Sequence, residues 1–127
     1  MKYVLRGRIP SKKNSRIMIF KNRKFPMSIP TPKYTQWHKE QSLALSNQVP
    51  EVPIKTCSMI ITFFLPDRRR TDLINKAESI LDLFVDIKII EDDDWLCVNS
   101  LHLASGGIDR ETPRAEIEII NIIESGI

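Results

Sequence analysis

Residues 52–85 read VPIKTCSMIITFFLPDRRRTDLINKAESILDLFV, and two structural periods meet inside them. From Val52 to Leu65 the chain is rich in β-branched and aromatic residues and too long for a turn, which predicts a central buried strand that Pro66 stops. Beyond the arginines, Leu73, Ala77, Ile80, Leu81 and Phe84 recur at spacings of three and four, predicting an amphipathic helix from about Asp72 to Val85. Asn75, Glu78, Ser79, Asp82 and Asp86 fall on its other face. A buried strand feeding a helix with one apolar side is half of a layered α and β domain.

On the N-terminal side, residues 2 to 9 alternate loosely as a strand, and Pro10-Ser11-Lys12-Lys13-Asn14-Ser15 breaks it with loop-forming residues. Arg16 to Phe20 and Lys24 to Ile29 read as a hairpin turning at Lys21-Asn22-Arg23, with Pro26 marking its second arm as an edge or irregular strand. Thr31 as N-cap and Pro32 at the first helical position open another helix, whose stripe is Tyr34, Trp37, Gln41 and Ala44 to Leu45 and which ends near Asn47 to Pro50. On the C-terminal side, segments 95 to 104 and 114 to 123 read as strands joined through Ser105-Gly106-Gly107 and a polar loop to Pro113. The expected fold is α+β (or α/β), a two-layer mixed sheet with two main helices, in one domain over residues 1–127.

Hydrophobic residues make up 42% of the chain and charged ones 28%, which is ordinary for a globular protein, and no apolar run approaches the ~20 residues needed to cross a bilayer. Cys57 and Cys97 lack metal-ligand spacing and any framework of pairs, which fits a reducing cytoplasm. The net charge is +3, yet every charged side chain from Lys2 to Lys39 is basic, and the acids concentrate between Asp67 and Asp94. That polarity suits a polyanion gripped by one surface and a local negative pocket on another. Basic side chains that merely solvate a hairpin give the same pattern.

The chemistry-bearing residues lie in the acidic helix and in Glu91-Asp92-Asp93-Asp94. Asp72 stands where an N-cap belongs, and Asn75, Glu78 and Asp82 project from one side of the helix toward which Asp72 can turn. Such a stripe is either a solvated face or a set of ligands. Four adjacent acids in a short turn rarely help a fold, and one or two of them reaching Asp72 would give hard oxygen ligands for Mg²⁺ or Mn²⁺. Arg68, Arg69 and Arg70 either neutralise these acids or clamp phosphates. Lys76 lies one turn beyond Asp72, and its spacing suits either a phosphate or Asp72 itself. No phosphate-binding glycine loop, zinc-protease motif or serine-nucleophile motif occurs, which argues against a bound nucleotide cofactor and against those hydrolase classes.

Taken together, the Pro10-Ser11-Lys12-Lys13-Asn14 loop, Pro66-Asp67-Arg68-Arg69-Arg70 leading into Asp72-Leu73-x-Asn75, the helix running to Asp82 and the Asp92-Asp93 pair resemble the RusA family of Holliday junction resolvases. The resemblance covers most of the chain. It implies a Mg²⁺- or Mn²⁺-dependent endodeoxyribonuclease that cuts four-way DNA junctions as a homodimer. It implies metal ligation by Asp72 and Asp93, with Asp82 as a further helix aspartate, and DNA contacts from Lys12, Lys13, Asn14, Arg16, the three arginines and Asn75. Two positions depart from the family pattern: Ile74 replaces its second motif aspartate, and Glu78 stands where a functional lysine usually lies. The expectation is that Glu78 restores the missing carboxylate and Lys76 the displaced positive charge.

Overall fold

The computed structural model describes residues 1–20 and 24–121. The predicted hairpin turn at Lys21-Asn22-Arg23 and the last residues of the predicted strand 114–123 lie outside them. Six strands and two main helices follow one another as β1 (Lys2–Arg6), β2 (Arg16–Ile19), β3 (Met27–Pro30), α1 (Pro32–Ala44), β4 (Cys57–Leu65), α2 (Leu73–Asp86), β5 (Val98–Ile108) and β6 (Arg114–Asn121). Four of the strands form one mixed sheet in the order β1-β6-β4-β5, and β2 and β3 pair separately. The fold is therefore α+β with a mixed sheet, as the patterning predicts.

β4 is the strand on which the sheet is built. It runs antiparallel to β6 and parallel to β5. Parallel neighbours cannot be joined by a tight turn, so the chain between them must travel the length of the sheet, and α2 makes that crossing. Cys57, Met59, Ile61 and Phe63 of β4, Ala115, Ile117 and Ile119 of β6, and Tyr3 and Leu5 of β1 are all buried, the period of two that marks one covered face. α2 supplies Ala77, Ile80, Leu83 and Phe84 to the same core, with the Phe84 ring edge-on to Tyr3 at 5.3 Å between centroids. α1 adds Trp37 and Leu45. Thr31 caps that helix by accepting from the Tyr34 N–H at 3.2 Å, with Pro32 at its first position.

Three boundaries differ from the sequence reading. The first strand stops at Arg6, because Gly7 takes a φ of +87° and donates its N–H to the Pro113 carbonyl at 2.8 Å. β4 begins at Cys57 and not at Val52; Pro53 has no N–H for a ladder, and Ile54 makes only an isolated bridge to Ile90. β5 begins at Val98 because the Asp94 carboxylate accepts from the N–H groups of Leu96 and Cys97, both at 3.1 Å, and winds 94–97 into a turn that leaves Trp95 and Leu96 exposed.

Nor do Ser105-Gly106-Gly107 end a strand. β5 runs through them on a bulge: the register passes from Phe63 opposite Ser105 to Phe64 opposite Gly107, leaving Gly106 as the extra residue. The bulge requires glycine there, since a Cβ on Gly106 would stand 2.6 Å from the Phe64 ring, whose centroid lies 3.9 Å from the Arg114 guanidinium carbon.

Phe84→Ala removes a fully buried ring and is expected to lower the unfolding free energy by about 3–5 kcal/mol in a urea titration. Trp95→Ala, at a side chain 76% exposed, is expected to change it by less than about 0.5 kcal/mol. Equal costs at the two positions would refute this assignment of the core.

Candidate functional site

The polar side of α2 is not a solvated stripe, because the segment that follows β1 lies against it. Four contacts made at positions 75, 76, 79 and 82 hold this segment. Lys76 Nζ donates to the Ile9 carbonyl at 2.6 Å, Ser79 Oγ to the Pro10 carbonyl at 2.8 Å and the Lys13 N–H to Asn75 Oδ1 at 3.3 Å, and Lys12 Nζ pairs with Asp82 Oδ2 at 3.0 Å. Lys12–Asn14 form a single 3-10 turn, closed when Ser15 donates its N–H to the Lys12 carbonyl at 3.1 Å and its hydroxyl to the Ser11 carbonyl. Ser79, expected on the open polar face, is thus fully buried under this segment. The reason is that a hydroxyl and a neighbouring ammonium on the helix satisfy two loop carbonyls that the sheet leaves unpaired.

Lys12 brings the acids together. Its hydrogen bond to Asp82 raises its pKa, and the nearby charges of Asp82, Glu78 and Asp93 raise it further. The carboxyl of the exposed Asp93 is pushed up from its ordinary value, first by desolvation and then by the charges of Asp92 and Asp82. Asp82 is thus the acid that Lys12 contacts, and Glu78 and Asp93 act on the ammonium from beyond contact distance.

Asp72 has a different task. Its Oδ2 accepts from Asn75 Nδ2 at 3.0 Å, and its Oδ1 accepts from the N–H groups of Ile74 at 3.0 Å and Asn75 at 3.3 Å. These bonds, those of Asn75 foremost, hold its carboxyl below the usual range, with Lys13 adding to the effect. Of the four acids expected to converge, Asp82 pairs with Lys12, Glu78 and Asp93 act on that ammonium through their charges without contacting it, and Asp72 caps α2, joined to the basic turn through Asn75. Ile74 is exposed and offers no ligand.

Among the described residues no group of three or more histidines, cysteines, aspartates or glutamates is placed so as to hold a metal ion.

The arginines gather around a second feature, a cavity of about 180 Å³ lined by Arg8, Asp67, Arg69, Arg70, Thr71 and Lys76 at the C-terminal end of β4. Arg69 grips Asp67 through Nη2 at 2.9 Å and Nε at 3.1 Å, and Arg8 reaches the same carboxylate at 3.2 Å. Four cations thus face one carboxylate. Arg68 and Arg70 are exposed, and Arg16 ties the hairpin by donating to the hydroxyl and carbonyl of Ser28 at 2.8 and 2.7 Å.

Lys76 does not pair with Asp72. It is buried against Ile9, and desolvation, with the Arg8 charge as a second cause, lowers its pKa. Arg8 was missed in the sequence reading; the only signal was its place in a wholly basic N-terminal segment. A larger cavity of about 490 Å³ separates that segment from α1, with Arg6, Lys33, Tyr34 and Trp37 among its lining residues.

No protein-family model matches this chain, and comparison with curated proteins finds no significant match. No helix among the described residues is long and apolar enough to cross a membrane.

The displaced titration of Lys76 has a definite sign. Its folded pKa lies below its unfolded value of about 10.4, so between the two the unfolded chain binds the proton more tightly, and stability rises with pH across that window. Comparing thermal melts from pH 7 to pH 10, wild type is expected to gain stability relative to Lys76→Met. Parallel pH profiles for the two proteins would show that Lys76 titrates as it does in water.

Proposed function

We propose that this chain is a metal-dependent, structure-selective endodeoxyribonuclease of the RusA type that cuts four-way DNA junctions as a homodimer. One observation carries the reading. Two features of opposite charge flank a single segment: Asp82 paired with Lys12, with the charges of Glu78 and Asp93 acting on the same ammonium, and a cavity lined by four cations and one carboxylate beside Arg8. A phosphodiester-cleaving enzyme needs this pairing, one site to hold a divalent cation and the other to hold the anionic backbone.

In this reading Glu78, Asp82 and Asp93 hold Mg²⁺ or Mn²⁺, which when bound activates water and neutralises charge growing on the phosphate and leaving oxygen. Asp72 fixes the start of α2 and the orientation of Asn75. Arg8, Arg69 and Arg70 orient the phosphate, and Lys76 supplies a buried donor at the floor of that cavity. Lys13, Asn14, Arg16 and the exposed Arg68 contact the DNA arms through phosphates, which gives register without sequence information.

Paired nicks need two sites, and one chain carries one acidic cluster. Met18, Phe20, Phe25 and Met27 are exposed on the β2–β3 hairpin, and a two-stranded sheet is marginal alone in water, so a second copy covering it is the natural dimer contact. Two free, buried cysteines fit a reducing cytoplasm.

A second reading, a non-catalytic protein that binds branched DNA, is favoured by Ile74, exposed where the family carries an aspartate, and by Asp82 being already paired with Lys12. Incubation of labelled four-way junctions with Mg²⁺ separates the two. The enzyme reading expects paired symmetric nicks that Asp93→Asn reduces by about 100-fold or more with junction binding intact, whereas Asp72→Asn, which keeps the cap, leaves nicking near the wild-type rate. Retardation without nicking in wild type would favour the binder, and equal affinity for junction and plain duplex at matched salt would sink both.

A further inference from the structure

We infer that the larger cavity, between the N-terminal segment and α1, is a pocket for one unstacked nucleotide of the bound strand, with that nucleotide's phosphate at Arg8 and Lys76. This rests on the reading of the smaller cavity as the holder of a backbone phosphate, and concerns what lies next to that phosphate. The two cavities share a wall, since Arg8 and Lys76 line both. The smaller, at about 180 Å³, is below the size that encloses a whole small ligand, whereas the larger, at about 490 Å³, is within it. A strand with its phosphate at the shared wall therefore has an open space beside it that suits the attached sugar and base.

Two buried donors in these walls are incompletely used. Lys76 is 8% exposed, and of its three ammonium hydrogens one has an acceptor among the described residues, the Ile9 carbonyl. It enters no ion pair among them, so an anion at the shared wall is the partner that its buried charge lacks. Trp37 is 7% exposed, and its indole N–H is the one fully buried side-chain polar group among the described residues without a hydrogen-bond partner. Folded proteins rarely leave such a group unpaired, and because Trp37 lines the larger cavity, an acceptor on its occupant can complete it. The remaining wall suits a base. Tyr34 is half-buried beside Trp37, with 5.7 Å between ring centroids, and offers an aromatic surface for stacking. Arg6, Arg8, Lys33 and Lys76 stand against Glu40 as the only acid in the lining. Four cations to one acid select an anion, and the aromatic pair selects a flat one.

The test is binding of thymidine 5′-monophosphate to the full chain without metal, read by calorimetry and by saturation-transfer NMR. Wild type is expected to bind it at least about tenfold more tightly than thymidine or inorganic phosphate, because only the nucleotide reaches both the shared wall and the larger cavity. Lys76→Met should weaken the nucleotide about tenfold and leave thymidine unchanged. Tyr34→Ala should weaken it at least about fivefold and leave inorganic phosphate unchanged. Arg110→Ala, at an exposed arginine outside both cavities, should alter neither. Melting curves report whether each variant is folded, and Arg8→Gln tests the shared wall a second time without touching the buried lysine. The nucleotide should also compete with a four-way junction for the protein; simultaneous binding of both would overturn the assignment to a unit of the strand. If wild type nicks junctions but binds the nucleotide no more tightly than inorganic phosphate, the inference falls and the nuclease reading stands. If it does neither, both fall together.

Discussion

The docking of residues 9–14 onto α2 is the constraint from which the remaining arrangement follows. A lysine buried without a carboxylate is costly, and Lys76 is tolerated because the Ile9 carbonyl accepts from it and because its stem covers apolar surface. Ser79 completes the seam at Pro10. α2 is thus satisfied on two sides by different means, by apolar packing on the sheet and by hydrogen bonds beneath the loop. With the loop pinned at Ile9 and Pro10, the basic turn that follows lies over α2 with Lys12 at Asp82 and Lys13 at Asn75. The polar seam therefore decides which acid meets which base.

What was legible in the sequence is what short-range chemistry decides. Thr31-Pro32 and Asp72 act on N–H groups two or three residues away, and the α2 stripe and the β4 run are periods within one element. The acid-rich helix and the Asp92-Asp93 turn were legible as candidates for the same reason. What stayed hidden depends on partners far along the chain. Ser79 was read as exposed because its acceptor lies 69 residues away, and the acceptor of Lys76 lies 67 residues away. The start of β5 was misread because Trp95 and Leu96 look like strand residues, while one side-chain oxygen of Asp94 competes for their backbone. The glycine pair at 106 and 107 looked like a loop and is a bulge whose purpose is to admit a ring from the neighbouring strand.

Three aspartates show why motif position alone does not assign a role. Asp109 is held down to about 2 by the Thr112 N–H, the Thr112 hydroxyl and then Arg114, and its bonds all serve the turn between β5 and β6. Asp72 is lowered too, by Asn75 and the helix N–H groups, so its charge is largely consumed by the cap. Asp93 alone of the three is shifted upward, by desolvation first and then by the neighbouring carboxylates Asp92 and Asp82. The fold matches the first two charges and leaves the third unmatched.

That contrast changes how the departure at Ile74 is to be weighed. If the site were defined by the residues flanking Asp72, loss of a carboxylate there would remove a ligand from its centre. In the proposed reading the acids lie toward the other end of α2, where Asp82 pairs with Lys12 and the charges of Glu78 and Asp93 act on the same ammonium, while Ile74 is exposed and takes no part in that pairing. Glu78 there stands one turn from Asp82 on the part of α2 over which the basic turn docks, so the helix presents two carboxylates without needing one at position 74.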